Sequence, residues 1–240
     1  MNNNYFENDR VAYQRQWEVS SAFPALMRKV YTWMVFALAI TGFTAYAVAT
    51  SPGVLMTIYS NPMLLWGMVI AQLAIVIGVS AAINRLSLTS ATLLFILYSV
   101  INGAMFSSIF VIYTASSIAS TFLVTAGTFA VMAVVGYTTK KDLTSIGRLA
   151  MMALMGIIIA TLVNVFFLKS TGVELFITYA GVLIFVGLVA YDSQKIKIML
   201  AQAPDAGESA QKIALLGALS LYLDFINLFL YLLRILGKRE

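Results

Sequence analysis

Long apolar stretches, separated by short polar ones, dominate the chain from about residue 30 to residue 236. A helix needs about 20 mostly apolar residues to cross the hydrocarbon core of a bilayer. The pattern therefore predicts seven transmembrane helices. The predicted spans are residues 30–50, 63–83, 90–113, 120–137, 149–168, 175–191 and 213–236. The prolines lie outside these spans, as expected because an interior proline interrupts the hydrogen bonds of a helix.

The seventh predicted span carries one polar face. Its polar residues follow one another at steps of four, three, four and three, which places them on one side of a helix. They are Ser220, Asp224, Asn227, Tyr231 and Arg234. A charge at mid-membrane costs about 2.5–3.5 kcal/mol, so this face is expected to contact protein or water. The pattern predicts an all-α integral membrane protein, a seven-helix bundle whose last helix is central. The alternative is that Asp224 only fixes helix packing.

A second aspartate, Asp192, ends the sixth predicted span in the stretch AYDSQKIK, residues 190–197. A hairpin to the last helix would bring it to the same side of the membrane as the first half of that helix. If the sixth helix is displaced inward, the carboxyl groups of Asp192 and Asp224 can meet. Two carboxyl groups in contact share a proton and titrate as a unit. In the alternative reading, Asp192 is a helix-end charge that pairs with Lys195 or Lys197.

Other polar side chains lie in or beside the predicted spans. Gln72 and Asn102 could line a cation path, although hydrogen bonding between helices is the alternative for both. Arg85 follows the second span and is a candidate counter-ion for an aspartate. The alternative for Arg85 is an ordinary charge in a cytoplasmic loop.

The composition narrows the class of protein further. Of the 240 residues, 61% are hydrophobic and only 10% are charged, whereas a soluble domain has about 25% charged residues. The net charge of +5 therefore does not indicate nucleic acid binding. Cysteine and histidine are both absent, which excludes disulfides and thiolate sites and removes the usual proton relay. Any proton-linked activity is expected to depend on carboxyl groups.

The basic residues indicate the orientation of the chain. Of the 15 lysines and arginines, eleven lie in the N-terminal segment and alternate loops, whereas Lys169 alone occupies the other loops. Basic residues favour the cytoplasmic side. Residues 1–27 are thus predicted to be a cytoplasmic tail, residues 28–240 the transmembrane domain, and the membrane a bacterial plasma membrane. Three basic residues near the C-terminus break the pattern, so the last helix either crosses fully, which we favour, or is re-entrant.

Two stretches carry a resemblance to a known family. AYDSQKIK at 190–197 and ALSLYLDFINLFLYLLRILG at 218–237 resemble the Bax inhibitor-1 family, also called the transmembrane Bax inhibitor motif family. Weaker similarity extends through RKVYTWMVFALAITGFTAY at 28–46 and GYTTKKDL at 136–143. The resemblance implies seven helices, six of them around a hydrophobic last one.

The resemblance also implies functional residues. In this family a pair of aspartates acts as a pH-sensitive latch on a calcium leak pathway, and the pair matches Asp192 and Asp224. Gln72 stands about where some bacterial relatives carry a glutamate. Arg85 is the candidate for an arginine that contacts the aspartate pair in such relatives.

Together these features predict a pH-sensitive calcium or cation leak channel, gated by a proton-sharing aspartate pair that binds calcium transiently. The expected partners are the lipid bilayer and calcium or protons, with no cofactor. The alternative is a membrane-embedded regulator that acts through a protein partner without transport. We do not expect an enzyme, because intramembrane aspartyl proteases rely on GxGD, whereas this chain has SLYLD at 220–224.

Overall fold

The computed structural model describes residues 3–203 and 206–239, with side chains described from residue 20 onward. These residues form α-helices, one π-helical turn and connecting loops, and no strand occurs among them. The helices are α1 (Asn3–Ala49), α2 (Pro52–Tyr59), α3 (Pro62–Ala82), α4 (Leu88–Phe106), α5 (Ile109–Ile112), α6 (Ala115–Thr138), α7 (Thr144–Val163), α8 (Thr171–Ala201) and α9 (Glu208–Leu236). The π-helical turn, Asn164–Leu168, extends α7.

Seven helical segments are long and apolar enough to cross a membrane. They are Ser20–Ala49, Pro62–Ala82, Leu88–Ile112, Ala115–Thr138, Thr144–Leu168, Thr171–Ala201 and Glu208–Leu236. Their outer faces expose large apolar side chains, as α3 shows with Met63, Trp66 and Ile77, which are 84%, 63% and 64% exposed. Such a surface fits lipid rather than water. The chain is an integral membrane protein, and the predicted all-α, seven-span fold class is confirmed.

Several helices extend beyond the predicted spans. Helix α1 runs through Pro24, so the expectation that this proline lies outside the spans is wrong. Helix α8 continues to Ala201 rather than ending at residue 191. The apolar run of a sequence marks only the part of a helix that lies in the hydrocarbon core. The helix itself can continue beyond the membrane into polar surroundings. Pro52 and Pro62 occupy first helical turns, where no backbone donor is lost, and Pro204 lies outside the described residues.

The last helix is one unbroken segment from Glu208 to Leu236. At 1.5 Å per residue it is about 43 Å long, enough to cross a bilayer. In the most apolar 18-residue stretch of this helix, 67% of the residues are buried, compared with at most 39% in the other spans. A re-entrant hairpin would need a break, and the helix has none. The unbroken helix is long enough for the predicted full crossing, and it is the most buried of the seven spans.

The helices form two compact units. The first comprises Met1–Ser107 and Ile196–Leu219, and in it α4 packs against α1 and α3. Thr41 Oγ1 donates a hydrogen bond to the carbonyl oxygen of Ser99, at 3.0 Å, which joins α1 to α4.

The second unit comprises Ser108–Lys195 and Ser220–Glu240. Aromatic rings join α6 to α9 in it, since the ring centroids of Phe122 and Phe129 lie 5.4 and 5.5 Å from that of Phe225. Chain residues beyond α9 are also fixed in this unit. The backbone N–H of Lys238 donates to Ser117 Oγ, at 2.8 Å, at the start of α6.

Candidate functional site

The second unit brings two aspartates together. The carboxyl groups of Asp192, in α8, and Asp224, in α9, lie close enough to each other to share a hydrogen bond when one of them carries a proton. Asp224 is 5% exposed and Asp192 is partly buried. Because α8 continues to Ala201, Asp192 lies inside its helix and is not a helix-end charge. The sequence predicted that these carboxyl groups could meet, and the structure places them in contact.

Two glycines set the position of α8 beside Asp192. A methyl group at Gly136, in α6, would overlap the carbonyl oxygen of Ala190. A methyl group at Gly147, in α7, would overlap the ring of Tyr191. Both neighbouring helices thus approach α8 more closely than any other residue would permit, as small residues allow in membrane bundles. The backbone that carries Asp192 is held on two sides.

A glutamine in the same turn ties α8 to the loop between α6 and α7. Gln194 is 8% exposed. Its Oε1 accepts a hydrogen bond from the backbone N–H of Leu143, and its Nε2 donates to the carbonyl oxygen of Lys141, both at 2.9 Å. Gln194 satisfies two backbone groups that would otherwise lack partners in this loop. It therefore positions the turn of α8 that carries Asp192.

The loop itself contains an exposed carboxylate. Asp142 Oδ1 accepts a hydrogen bond from the backbone N–H of Thr144, at 2.8 Å, at the start of α7. Hydrogen bonds from Thr144 lower the pKa of Asp142, because they stabilise the ionised form. Asp142 is therefore a structural charge, distinct in its surroundings from the buried aspartate pair.

Three buried oxygen atoms of this unit have no hydrogen-bond partner among the described residues. They are Asp224 Oδ2, Ser193 Oγ and Thr121 Oγ1. Buried polar atoms are nearly always satisfied, so each unsatisfied one requires an explanation. Oxygen atoms of this kind suit a hard cation or water. Lys195, one turn from Asp192, interacts electrostatically with both carboxyl groups of the pair.

The remaining residues of the polar face of α9 differ in their surroundings. Ser220 is partly buried, and Asn227 Nδ2 donates to the carbonyl oxygen of Leu223, at 2.8 Å, within the helix. Tyr231 packs against Phe185, with ring centroids 5.9 Å apart. Arg234 is exposed, and its Cζ lies 6.0 Å from the centroid of the Tyr231 ring.

Three predicted site residues belong to the first unit, outside the unit that holds the aspartate pair. Asn102 is buried in α4, with 4% of its surface exposed. Gln72 is partly buried in α3, and its Nε2 has no hydrogen-bond partner in the described part of the chain. Arg85 is exposed in the turn after α3. These three residues therefore belong to a different compact unit from the aspartate pair.

Comparison with known proteins decides the family. A family model described as "Inhibitor of apoptosis-promoting Bax1" matches residues 24–240, which is most of the chain. The chain belongs to this Bax inhibitor family.

Its relatives in the Bax inhibitor family include several bacterial proteins. "Inner membrane protein YbhL" of Escherichia coli strain K12 is 52% identical over 215 residues, covering 89% of this chain and 92% of the relative. An uncharacterised protein of Borreliella burgdorferi is 47% identical, with 89% and 92% coverage. An uncharacterised membrane protein of Streptococcus pyogenes serotype M1 is 34% identical, with 97% and 100% coverage.

In this Bax inhibitor family member, sequence reasoning missed a row of buried hydroxyl groups on α6. Ser117, Thr121 and Thr125 are 6%, 0% and 0% exposed. Thr125 lies between Phe122 and Phe129 on the helix face that contacts α9, by the spacing of neighbours on one helix face. The signal was present in the sequence as hydroxyl residues at every fourth position.

Proposed function

We propose that the protein is a pH-sensitive cation leak channel, with calcium as the best-suited ion, gated by Asp192 and Asp224. The observation that carries the proposal is the contact between the carboxyl groups of Asp192, in α8, and Asp224, in α9, which is the most buried of the seven spans. Ionisable groups inside a membrane are costly, and they commonly mark ion or proton pathways.

The gate follows from the chemistry of carboxyl groups. An ionised carboxylate only accepts hydrogen bonds, so the bond between Asp192 and Asp224 requires a proton on one of them. With that proton in place, the pair holds α8 and α9 together. When the pH rises and the proton leaves, two like charges face each other where little water screens them. The helices then separate, or a cation enters between them.

The oxygen atoms near the pair suit calcium. Calcium prefers carboxylate, hydroxyl and carbonyl oxygens, and Asp224 Oδ2 and Ser193 Oγ are buried without hydrogen-bond partners in the described residues. Among the described side chains, at residues 20–203 and 206–239, no group of three or more acidic, histidine or cysteine residues could hold a metal ion. Two carboxylates bind calcium weakly, and weak binding is what permeation requires.

Two basic residues are candidates to modulate the gate. Lys195 interacts with both carboxyl groups and would compete with an entering cation once they are ionised. Arg85 remains the proposed latch or counter-ion that the family resemblance implies. Asn227, Ser220, Tyr231, Asn102 and Gln72 remain the proposed lining of the cation path.

The proposal is tested with purified protein in liposomes that contain a calcium indicator. Calcium entry is measured from about pH 6 to pH 8 for protein-free liposomes, the wild type, Asp224→Asn and Asp142→Asn. The wild type should add a flux that rises with pH. Asp224→Asn should lose the pH dependence, whereas Asp142→Asn, a matched change at an exposed carboxylate, should keep it. Calcium entry that equals the protein-free rate at every pH would refute the channel.

A second candidate function is a membrane-embedded regulator that acts through a protein partner. The description of the family as an inhibitor of another protein favours it. This reading predicts that a stoichiometric partner co-purifies with the chain and that the pure protein adds no flux. A flux by the pure protein that changes in Asp224→Asn would decide against it.

We further place the chain in a bacterial plasma membrane with its N-terminus in the cytoplasm. The excess of basic residues in alternate loops supports this orientation, and the printed name of the Escherichia coli relative supports the membrane. Reporter fusions at the two termini test it, since seven crossings require them to report opposite sides. Two termini on the same side would contradict the proposal.

A further inference from the structure

The second unit contains a cavity of about 350 Å³ that lies away from the aspartate pair, where α7 ends and α8 begins. Three charged side chains line it, Lys169, Glu174 and Arg234. They belong near the ends of three membrane spans, Thr144–Leu168, Thr171–Ala201 and Glu208–Leu236. The cavity is therefore at the depth where lipid headgroups meet the hydrocarbon core.

The charges of this cavity do not neutralise one another. No ion pair joins Lys169, Glu174 and Arg234 in the part of the chain that the structure describes. Arg234 contacts the ring of Tyr231 instead. Two cations and one carboxylate around a single cavity fit a ligand that carries both an anionic and a cationic group.

The backbone at Lys169 is unusual in a way that favours a role for its side chain. Lys169 has φ 49° and ψ 35°, the left-handed conformation, and is the non-glycine residue with positive φ in the described chain. Glycine adopts this conformation freely, whereas other residues lose about 1–2 kcal/mol there. The Asn164 side chain maintains the turn, since its Oδ1 accepts from the backbone N–H of Ser170, at 2.9 Å. A lysine where glycine is favoured suggests that the amine is used.

The π-helical turn that contributes Val165 to the cavity lining is strongly apolar. The π-helical turn before Lys169 exposes Val165, Phe166, Phe167 and Leu168, at 59%, 62%, 80% and 57%. Exposed aromatic and aliphatic side chains next to a charged cavity match a molecule with a charged headgroup and acyl chains.

From these observations we propose that the cavity binds a zwitterionic phospholipid whose headgroup contains a primary amine. Lys169 and Arg234 bind the phosphate, since charge-assisted hydrogen bonds from both cations suit it. Glu174 binds the ammonium group. The acyl chains lie along the exposed side chains of residues 165–168. The proposal does not depend on calcium permeation and stands or falls separately from the leak channel.

Binding is measured on the detergent-purified full chain by native mass spectrometry and by the thermal shift that a ligand of the folded state causes. The probes are short-chain phosphatidylethanolamine, short-chain phosphatidylcholine and inorganic phosphate. Phosphatidylethanolamine should bind most tightly. Phosphatidylcholine has the same phosphate, but its quaternary ammonium cannot donate a hydrogen bond to Glu174. Glu174→Ala, which removes the acceptor, should therefore remove the preference between the two lipids.

Lys169→Gly separates binding from folding. The glycine relieves the left-handed conformation, so the melting temperature without lipid should stay the same or rise, while lipid affinity falls about tenfold. Arg234→Gln should also weaken binding about tenfold, and Lys238→Gln, a matched change at an exposed lysine nearby, should not. The proposal would be overturned if Lys169→Gly and Arg234→Gln bound phosphatidylethanolamine as tightly as the wild type does. Inorganic phosphate that binds as tightly as phosphatidylethanolamine would overturn it as well, in favour of a free-anion site.

Discussion

The carboxyl group of Asp224 lies close enough to that of Asp192 to share a proton with it, and its Oδ2 is buried with no hydrogen-bond donor among the described residues. A hydrogen bond between the two carboxyl groups therefore needs a proton on one of them. In surroundings of low dielectric, such an arrangement is sensitive to the loss of a single charge. This sensitivity is the physical basis of the proposed gate.

The close approach of α6 to α8 predicts a stability effect beside the pair. In Gly136→Ala, the new methyl group would overlap the carbonyl oxygen of Ala190, so α8 must shift. We expect a loss of about 1–3 kcal/mol, the usual effect of overpacking, seen as a lower melting temperature in detergent. Gly127→Ala in the same helix is the control, since nothing lies within 4 Å of the added methyl group. Equal melting temperatures for the two variants would contradict the close approach.

Gln194 is expected to stabilise the loop between α6 and α7. Gln194→Ala removes two hydrogen bonds, to the backbone of Leu143 and Lys141, and should cost about 1–3 kcal/mol in total. Thermal unfolding measures this loss. Gln202→Ala, at an exposed glutamine just after α8, should change the melting temperature little. If neither Gln194→Ala nor Gln202→Ala changes the melting temperature, Gln194 does not stabilise the loop.

Thr121 should show opposite effects on stability and on flux. Its hydroxyl is fully buried without a hydrogen-bond partner among the described residues, so Thr121→Val should leave the melting temperature unchanged or raise it. If the hydroxyl lines the cation path, calcium flux should fall in the same variant. Thr138→Val, at an exposed threonine of α6, is the control. An unchanged flux in Thr121→Val would remove this hydroxyl from the path.

Asp142 should contribute stability that depends on pH. Hydrogen bonds from Thr144 lower its pKa in the folded state, so its contribution is present above the ordinary aspartate pKa of about 3.9 and disappears as the pH falls through the lowered value. Asp142→Ala should therefore have a lower melting temperature than the wild type at pH 7. The melting temperatures of the wild type and Asp142→Ala should converge at a pH below the lowered pKa of Asp142. A difference that is the same at both pH values would contradict this assignment.

The two aspartates could be found from sequence because each lies in or beside a long apolar run, where a carboxyl group is costly. The C-terminal end of α8 could not be predicted from sequence. Residues 192–201 include Asp192, Lys195 and Lys197, so the apolar signal stops there, although the helix continues to Ala201. The role of Gln194 depends on a loop 51 residues away along the chain, which no local pattern records. The close approach at Gly136 likewise appears only when α6 and α8 are packed together.

The central claim is that Asp192 and Asp224 act as one proton-sharing gate. A single series tests it most directly, with calcium entry into liposomes measured from about pH 6 to pH 8 for wild type, Asp192→Asn, Asp224→Asn and the double variant. The wild-type flux should rise with pH, and each single variant should abolish that rise. The double variant should add nothing further, because either substitution removes the same contact. Single variants that keep the wild-type slope, or effects that add in the double variant, would show that the two carboxyl groups act independently and would contradict the account.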